Sequence, residues 1–121
     1  ALEDVELSRG IGVVLGTGGG GLSFVEEQYQ RYFEEGRSSL FSITGGTHGN
    51  LSSELSIQLG LRGPSYVVTT GCASSTDAIG QAMLLIQSGR CDAIVCGGAD
   101  APIAPGILAG FEQMRGVSTR R

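Results

Sequence analysis

Lysine and tryptophan are absent from these 121 residues, proline occurs three times, and the only histidine is His48. The eight basic residues are all arginines and are scattered along the chain. With a net charge of −4 and a pI near 4.8, a basic surface for nucleic acid is excluded. No apolar run approaches the length that crosses a bilayer, so no membrane association is expected. The opening Ala1-Leu2-Glu3-Asp4-Val5-Glu6 has neither a basic n-region nor an apolar h-region, and no secretion signal is expected. Cysteine is sparse and unpaired: Cys72, Cys91 and Cys96 contain no CxxC spacing. With one histidine to join them, neither a zinc site nor a disulfide framework is expected. The chain reads as a cytoplasmic protein that needs no metal or cofactor.

What the sequence has in excess is glycine, 21 residues, without a collagen period and gathered at the ends of apolar segments. This pattern predicts tight turns between packed elements. Residues 11–16 (IGVVLG) read as a buried strand stopped by the glycines that follow. Residues 22–35 carry Leu22, Val25, Tyr29, Tyr32 and Phe33 at helical spacing, with Gly36 as the stop. Residues 38–49 read as a loop. Residues 50–59 place Leu51, Leu55 and Leu59 on one helical face, with Asn50 as the N-cap. Residues 65–70 form a β-branched strand, and residues 74–88 a helix apolar on most sides and therefore buried. Residues 93–98 form another buried strand, residues 101–106 a loop, and residues 107–115 a short helix. Alternating strands and helices predict an α/β fold of one unit, with a largely parallel sheet and buried helices.

Three features invite a chemical reading. Gly16, Gly18 and Gly21 satisfy G-x-G-x-x-G between a strand and a helix, the setting of a dinucleotide-binding turn. No acidic strand end follows about 20 residues on, as that turn requires. A phosphate loop of the Walker type fails, because Leu22-Ser23 follows Gly21. A tight turn with close backbone approach is the stronger reading. The second feature is Cys72, in VVTTGCASSTDAIG (residues 67–80), where a strand turns directly into a helix. Unpaired N–H groups and the positive end of the helix dipole favour the thiolate there. The alternatives at this point are an activated nucleophile and a small buried hydrophobe. For Cys91 and Cys96 the buried hydrophobe is expected. The third is His48, in a glycine-rich loop with no spacing that ties it to Cys72; a solvated or capping histidine is expected.

The text around Cys72, Thr69-Thr70-Gly71-Cys72-Ala73-Ser74-Ser75-Thr76-Asp77-Ala78-Ile79-Gly80, resembles the active-site segment of the β-ketoacyl-acyl carrier protein synthases. Four further blocks occur in that family's order. They are Gly16-Thr17-Gly18 with Gly20-Gly21-Leu22; Gly60-Leu61-Arg62-Gly63-Pro64; Gly97-Gly98-Ala99-Asp100 after Gly89-Arg90-Cys91-Asp92-Ala93; and Ala109-Gly110-Phe111 with Met114-Arg115 and Ser118-Thr119. The resemblance implies the N-terminal half of a thiolase-like fold, over residues 1–121, and a decarboxylating Claisen condensation of fatty acid or polyketide synthesis. It implies that Cys72 takes the acyl chain from an acyl carrier protein and that its N–H is half of the oxyanion hole. Gly19, Ile107 and Phe111 would line the acyl pocket, and Ile43 would reach the partner's pocket across a homodimer. Gly71 stands where alanine is common, and Asp100 where glutamate is usual. The family's first strand, two catalytic histidines and a lysine find no match here, so the isolated chain is expected to be inactive in condensation. A non-catalytic chain-length partner, a thiolase, a nucleotide-binding module and a dimerisation scaffold are the other readings.

Overall fold

The structure, a computed structural model, describes residues 3–118 and Arg120; Thr119, at the end of the last block quoted above, lies outside the described residues. Helix α1 (Val5–Gly10) runs directly into strand β1 (Ile11–Gly16), and helices α2 (Leu22–Glu35), α3 (Ser42–Gly46) and α4 (Asn50–Leu59) follow. Then come strand β2 (Ser65–Val68), a 3-10 turn (Gly71–Ala73), helix α5 (Ser74–Gln87), strand β3 (Ala93–Gly98) and helix α6 (Pro105–Gln113). The strands form one parallel sheet in the order β2-β1-β3. The α/β reading and the parallel sheet are as the sequence pattern indicates.

β1 is central because its composition suits burial on both faces. Consecutive residues of a strand point to opposite faces, yet Val13 and Val14 are both fully buried. One face meets α5, which packs across the strands, and α4 packs on β1 and β2. The register pairs Gly16 with Val68 on one side and with Gly98 on the other. A Cβ on Gly16 would lie 2.2 Å from the carbonyl oxygen of Ser74, and one on Gly98 would lie 2.8 Å from Ser75 Cβ. Glycine at both positions therefore lets the first turn of α5 seat directly on the ends of β1 and β3.

Several local expectations need correction. Residues 38–49 are not all loop, since α3 occupies Ser42–Gly46; five residues with two glycines carry no readable helical period. Asn50 is the first helical residue of α4, and the cap position is Gly49 without a side-chain bond. β2 stops at Val68. The last helix starts two residues early because Pro105 occupies its first turn, where a missing N–H costs nothing. α5 buries only the stripe Ser74, Ala78 and Ala82, while Ile79, Met83, Leu84 and Ile86 are exposed. β3 is mostly exposed, and Cys96 with it, so Cys96 is not the buried hydrophobe expected.

The chain exposes 8380 Å², against about 6200 Å² for a compact monomer of its mass. Phe33, Leu40, Ile43, Ile103 and Met114 are each at least three-quarters exposed. That surface exceeds what a free-standing compact monomer of this mass presents.

The glycine contacts give a paired prediction. Gly16→Ala drives a methyl group into the Ser74 carbonyl and should cost about 2 kcal/mol or more. At Gly80, inside α5, a Cβ would meet nothing within 4 Å, so Gly80→Ala should raise stability by about 0.5–1 kcal/mol. Urea unfolding midpoints of the two variants moving in the same direction would contradict the contact.

Candidate active site

Cys72 sits in the 3-10 turn that joins β2 to α5, and its side chain is exposed. The turn is held by a short relay of hydrogen bonds. The Thr70 N–H donates to Ser74 Oγ at 2.9 Å, and the Ser74 hydroxyl donates to the Gly71 carbonyl at 2.6 Å. Ser74 is itself 2% exposed, locked between this relay and the glycine ends of β1 and β3. The Thr70 hydroxyl also donates to the Asp77 carboxylate, one turn into α5. Gly71 has φ of +64°, the left-handed region that favours glycine. That conformation accounts for glycine where the related motif commonly has alanine.

The glycine loop after β1 packs against this turn. A Cβ on Gly18 would lie 3.1 Å from the Gly71 carbonyl oxygen and 3.2 Å from its carbon. The loop is organised by Asp100, just beyond β3. Asp100 Oδ1 accepts from the Thr17 hydroxyl and from the Gly19 N–H, and Oδ2 accepts from the Gly18 N–H, each at 2.8 Å. Thr17 Oγ1 in turn accepts from the Gly20 N–H at 2.8 Å. Three consecutive glycine N–H groups are thereby consumed inside the protein. A phosphate-binding turn needs those donors free, and here the Asp100 carboxylate takes two of them and the Thr17 hydroxyl the third. The dinucleotide reading of Gly16, Gly18 and Gly21 fails on that geometry.

Those donors also hold the Asp100 carboxyl below its ordinary value of 3.8. The Gly18 N–H is the largest cause, followed by the Gly19 N–H and the Thr17 hydroxyl, with partial burial opposing them. Cys91 is the contrasting thiol. It is 4% exposed, and burial, then the Asp92 charge, pushes it up against a smaller opposing effect of Arg90. That is an inert core cysteine, as expected.

The remaining sequence-derived residues are placed as follows. Gly19 lies in the loop, where a Cβ would touch Leu22, Pro102 and Asp100. Ile107 is half-buried and Phe111 is exposed, one turn apart on α6. α2 tethers that helix, because Glu26 Oε1 accepts from the Gly106 N–H at 3.1 Å and the Ser23 hydroxyl donates to the Ala101 carbonyl at 3.0 Å. The chain thus brings Cys72, the Gly19 loop and the start of α6 to one end of the sheet. Ile43 is 80% exposed and lines two clefts away from Cys72. One, of 490 Å³, includes His48 and Tyr66; the other, of 480 Å³, includes Tyr29 and Tyr32. His48 is half-buried, with its ring against Gly20 and open to the cleft that it lines with Ile43. Among the described residues no cluster is placed to hold a metal ion, and no helix is long and apolar enough to cross a membrane. Thr17 and Asp100 are the residues that sequence reasoning passed over as site components. The available signals were a threonine set among glycines and an acid directly after a strand ending in two glycines.

Comparison with known proteins gives a consistent answer. The profile of the family described as beta-ketoacyl synthase, N-terminal domain, matches residues 1–121. The 3-oxoacyl-[acyl-carrier-protein] synthase 2 of a Synechocystis strain is 40% identical over 112 residues, which is 91% of this chain and 27% of that protein. A ketosynthase in complex with its chain length factor from Xenorhabdus doucetiae superposes with a TM-score of 0.83 at 28% identity, covering 93% of this chain and 29% of that one. A type II polyketide synthase ketosynthase, bound to the hexaketide and in complex with its acyl-carrier protein, gives 0.85 at 25% identity, covering 94% and 30%. The chain therefore spans less than a third of the length of these relatives.

The Asp100 cage sets a pH dependence. Because the folded carboxyl titrates below its ordinary value of 3.8, its stabilisation is complete well above that value and is lost as pH falls from there through the lowered folded value. The stability difference between the unsubstituted protein and Asp100→Asn should be constant from neutral pH down to about 5 and shrink below it. Urea titrations of both proteins across that range check this; a difference that grows on acidification contradicts the assignment.

Proposed function

The chain belongs to the beta-ketoacyl synthase family, and on that premise we propose that it is the N-terminal portion of a ketosynthase domain and supplies the nucleophile of a decarboxylating condensation. The observation that carries this reading is an exposed cysteine in a hydrogen-bonded turn at the start of α5, within the block that resembles the family's active-site segment. Cys72 Sγ, as the thiolate, attacks the carbonyl carbon of an acyl thioester presented by an acyl carrier protein. The carbon–sulfur bond to the carrier breaks, and the carrier thiol leaves with a proton. A malonyl thioester then loses carbon dioxide, and its carbanion attacks the carbonyl of acyl-Cys72. A carbon–carbon bond forms, the bond to Cys72 breaks, and the thiolate returns.

The Cys72 N–H is one donor for the oxyanion formed at each attack. Gly19, Ile107 and Phe111 line the acyl pocket, with Gly19 leaving it open at the loop. Groups that handle the proton and the departing carboxylate come from outside these 121 residues, since the ring of His48 rests on Gly20. We assign the working form to a homodimer in the cytoplasm, with Ile43 facing the partner's pocket. The surplus of exposed apolar surface supports a covered state of this kind, and the loop donors already taken by Asp100 weigh against a nucleotide.

The test is acylation of the whole protein that carries this sequence. Incubated with an acyl-acyl carrier protein, it should gain one acyl mass, mapped by peptide mass spectrometry to Cys72. Cys72→Ala should lose both the label and condensation. A label on Cys91 or Cys96 in its place, or no label at all, would overturn the proposal.

A further inference from the structure

The peptide unit joining Gly71 to Cys72 carries the Gly71 carbonyl at one end and the Cys72 N–H at the other. A peptide is planar and trans, so fixing the carbonyl fixes the direction of the N–H. The carbonyl is held from two sides. The Ser74 hydroxyl at 2.6 Å and the Ser74 N–H both donate to it, and Gly18 faces it across a gap so narrow that a Cβ there would lie 3.1 Å from the oxygen. Gly18 keeps that place through Asp100, which takes the N–H groups of Gly18 and Gly19 and the hydroxyl of Thr17 at 2.8 Å each. Thr17 is 1% exposed and anchors the loop by accepting from the Gly20 N–H.

We infer that Asp100 is a positioning residue for acyl transfer: by pinning residues 17–20 against Gly71, it aims the Cys72 N–H at the oxyanion. The inference rests on the reading of Cys72 as nucleophile. It separates two reactions of the same sulfur. Attack on a thioester forms an oxyanion and needs the aimed N–H. Displacement of iodide from iodoacetamide takes place at a saturated carbon, forms no oxyanion and needs only a reachable thiolate. A side chain that merely held the fold together would affect both alike.

Asparagine at position 100 keeps one acceptor but turns an N–H₂ group toward the loop donors, whereas glutamate keeps the carboxylate on a longer stem. In the whole protein, Asp100→Asn should slow acylation by hexanoyl-N-acetylcysteamine about 10- to 100-fold, up to the lower bound for losing one oxyanion donor. Alkylation of Cys72 by iodoacetamide should stay within about twofold, and Asp100→Glu should recover most of the acylation rate. Thr17→Val, which removes the bridging hydroxyl at nearly constant volume, should show the same split in smaller measure and serves if Asp100→Asn does not fold. A parallel fall in acylation and alkylation, or an unchanged acylation rate in both variants, overturns the inference alone. Acylation that persists in Cys72→Ala overturns the nucleophile assignment and this inference with it.

Discussion

Ser74 lies closer to the sheet than any side chain would permit. The contact exists because Gly16 leaves that space empty, and its register partner Gly98 does the same beside Ser75. This absence of side chains allows a helix to begin directly on the ends of two parallel strands. Every other feature of the candidate site follows from it. The turn before the helix must be sharp, which demands a left-handed residue, and Gly71 supplies one. The first helical residue must be small and must satisfy its hydroxyl internally, and Ser74 does so by closing the turn on both sides. The cysteine between them is left at the surface, on a backbone with no slack.

The glycine loop belongs to the same construction. The N–H groups of Gly18 and Gly19 meet a carboxylate, so the loop is a receptor for the protein's own Asp100 rather than for an external phosphate. An internal anion at this place does what a bound ligand does elsewhere: it orders a run of glycines that would otherwise carry a large entropic cost. The benefit is a loop whose backbone is ordered by the chain itself. Preorganisation of this kind matters under the proposed reaction, where charge would develop on a thioester oxygen.

Much of this was readable in the sequence, and the reasons for the misses are physical. Strand β1 was legible because a short apolar run bounded by glycines has few other fates, and the turn at Cys72 because a β-branched run gives way abruptly to small residues. Asp100 was not, because its partners lie more than 80 positions away and no local pattern announces a bond of that reach. The burial of α5 and β3 was overestimated for a related reason. Apolar residues such as Met83 and Leu84 state that a face will be covered, but not whether the covering element lies within the same 121 residues. Helix α3 was missed because Ser42–Gly46 is too short for a period, and Gly45 and Gly46 argue against a helix.

The strand order has a bearing on how the chain acquires its shape. β1 comes first in sequence yet stands in the middle, with β2 and β3 added on either side much later. A growing polypeptide would carry one edge of β1 unpaired with β3 through some eighty residues of synthesis, a long exposure for a strand with no charge on it. Residues 98–100 reach residues 16–20 and the start of α5 only when β3 docks. A molecule stalled before β3 would hold Cys72 without Asp100, which orders the loop beside its turn.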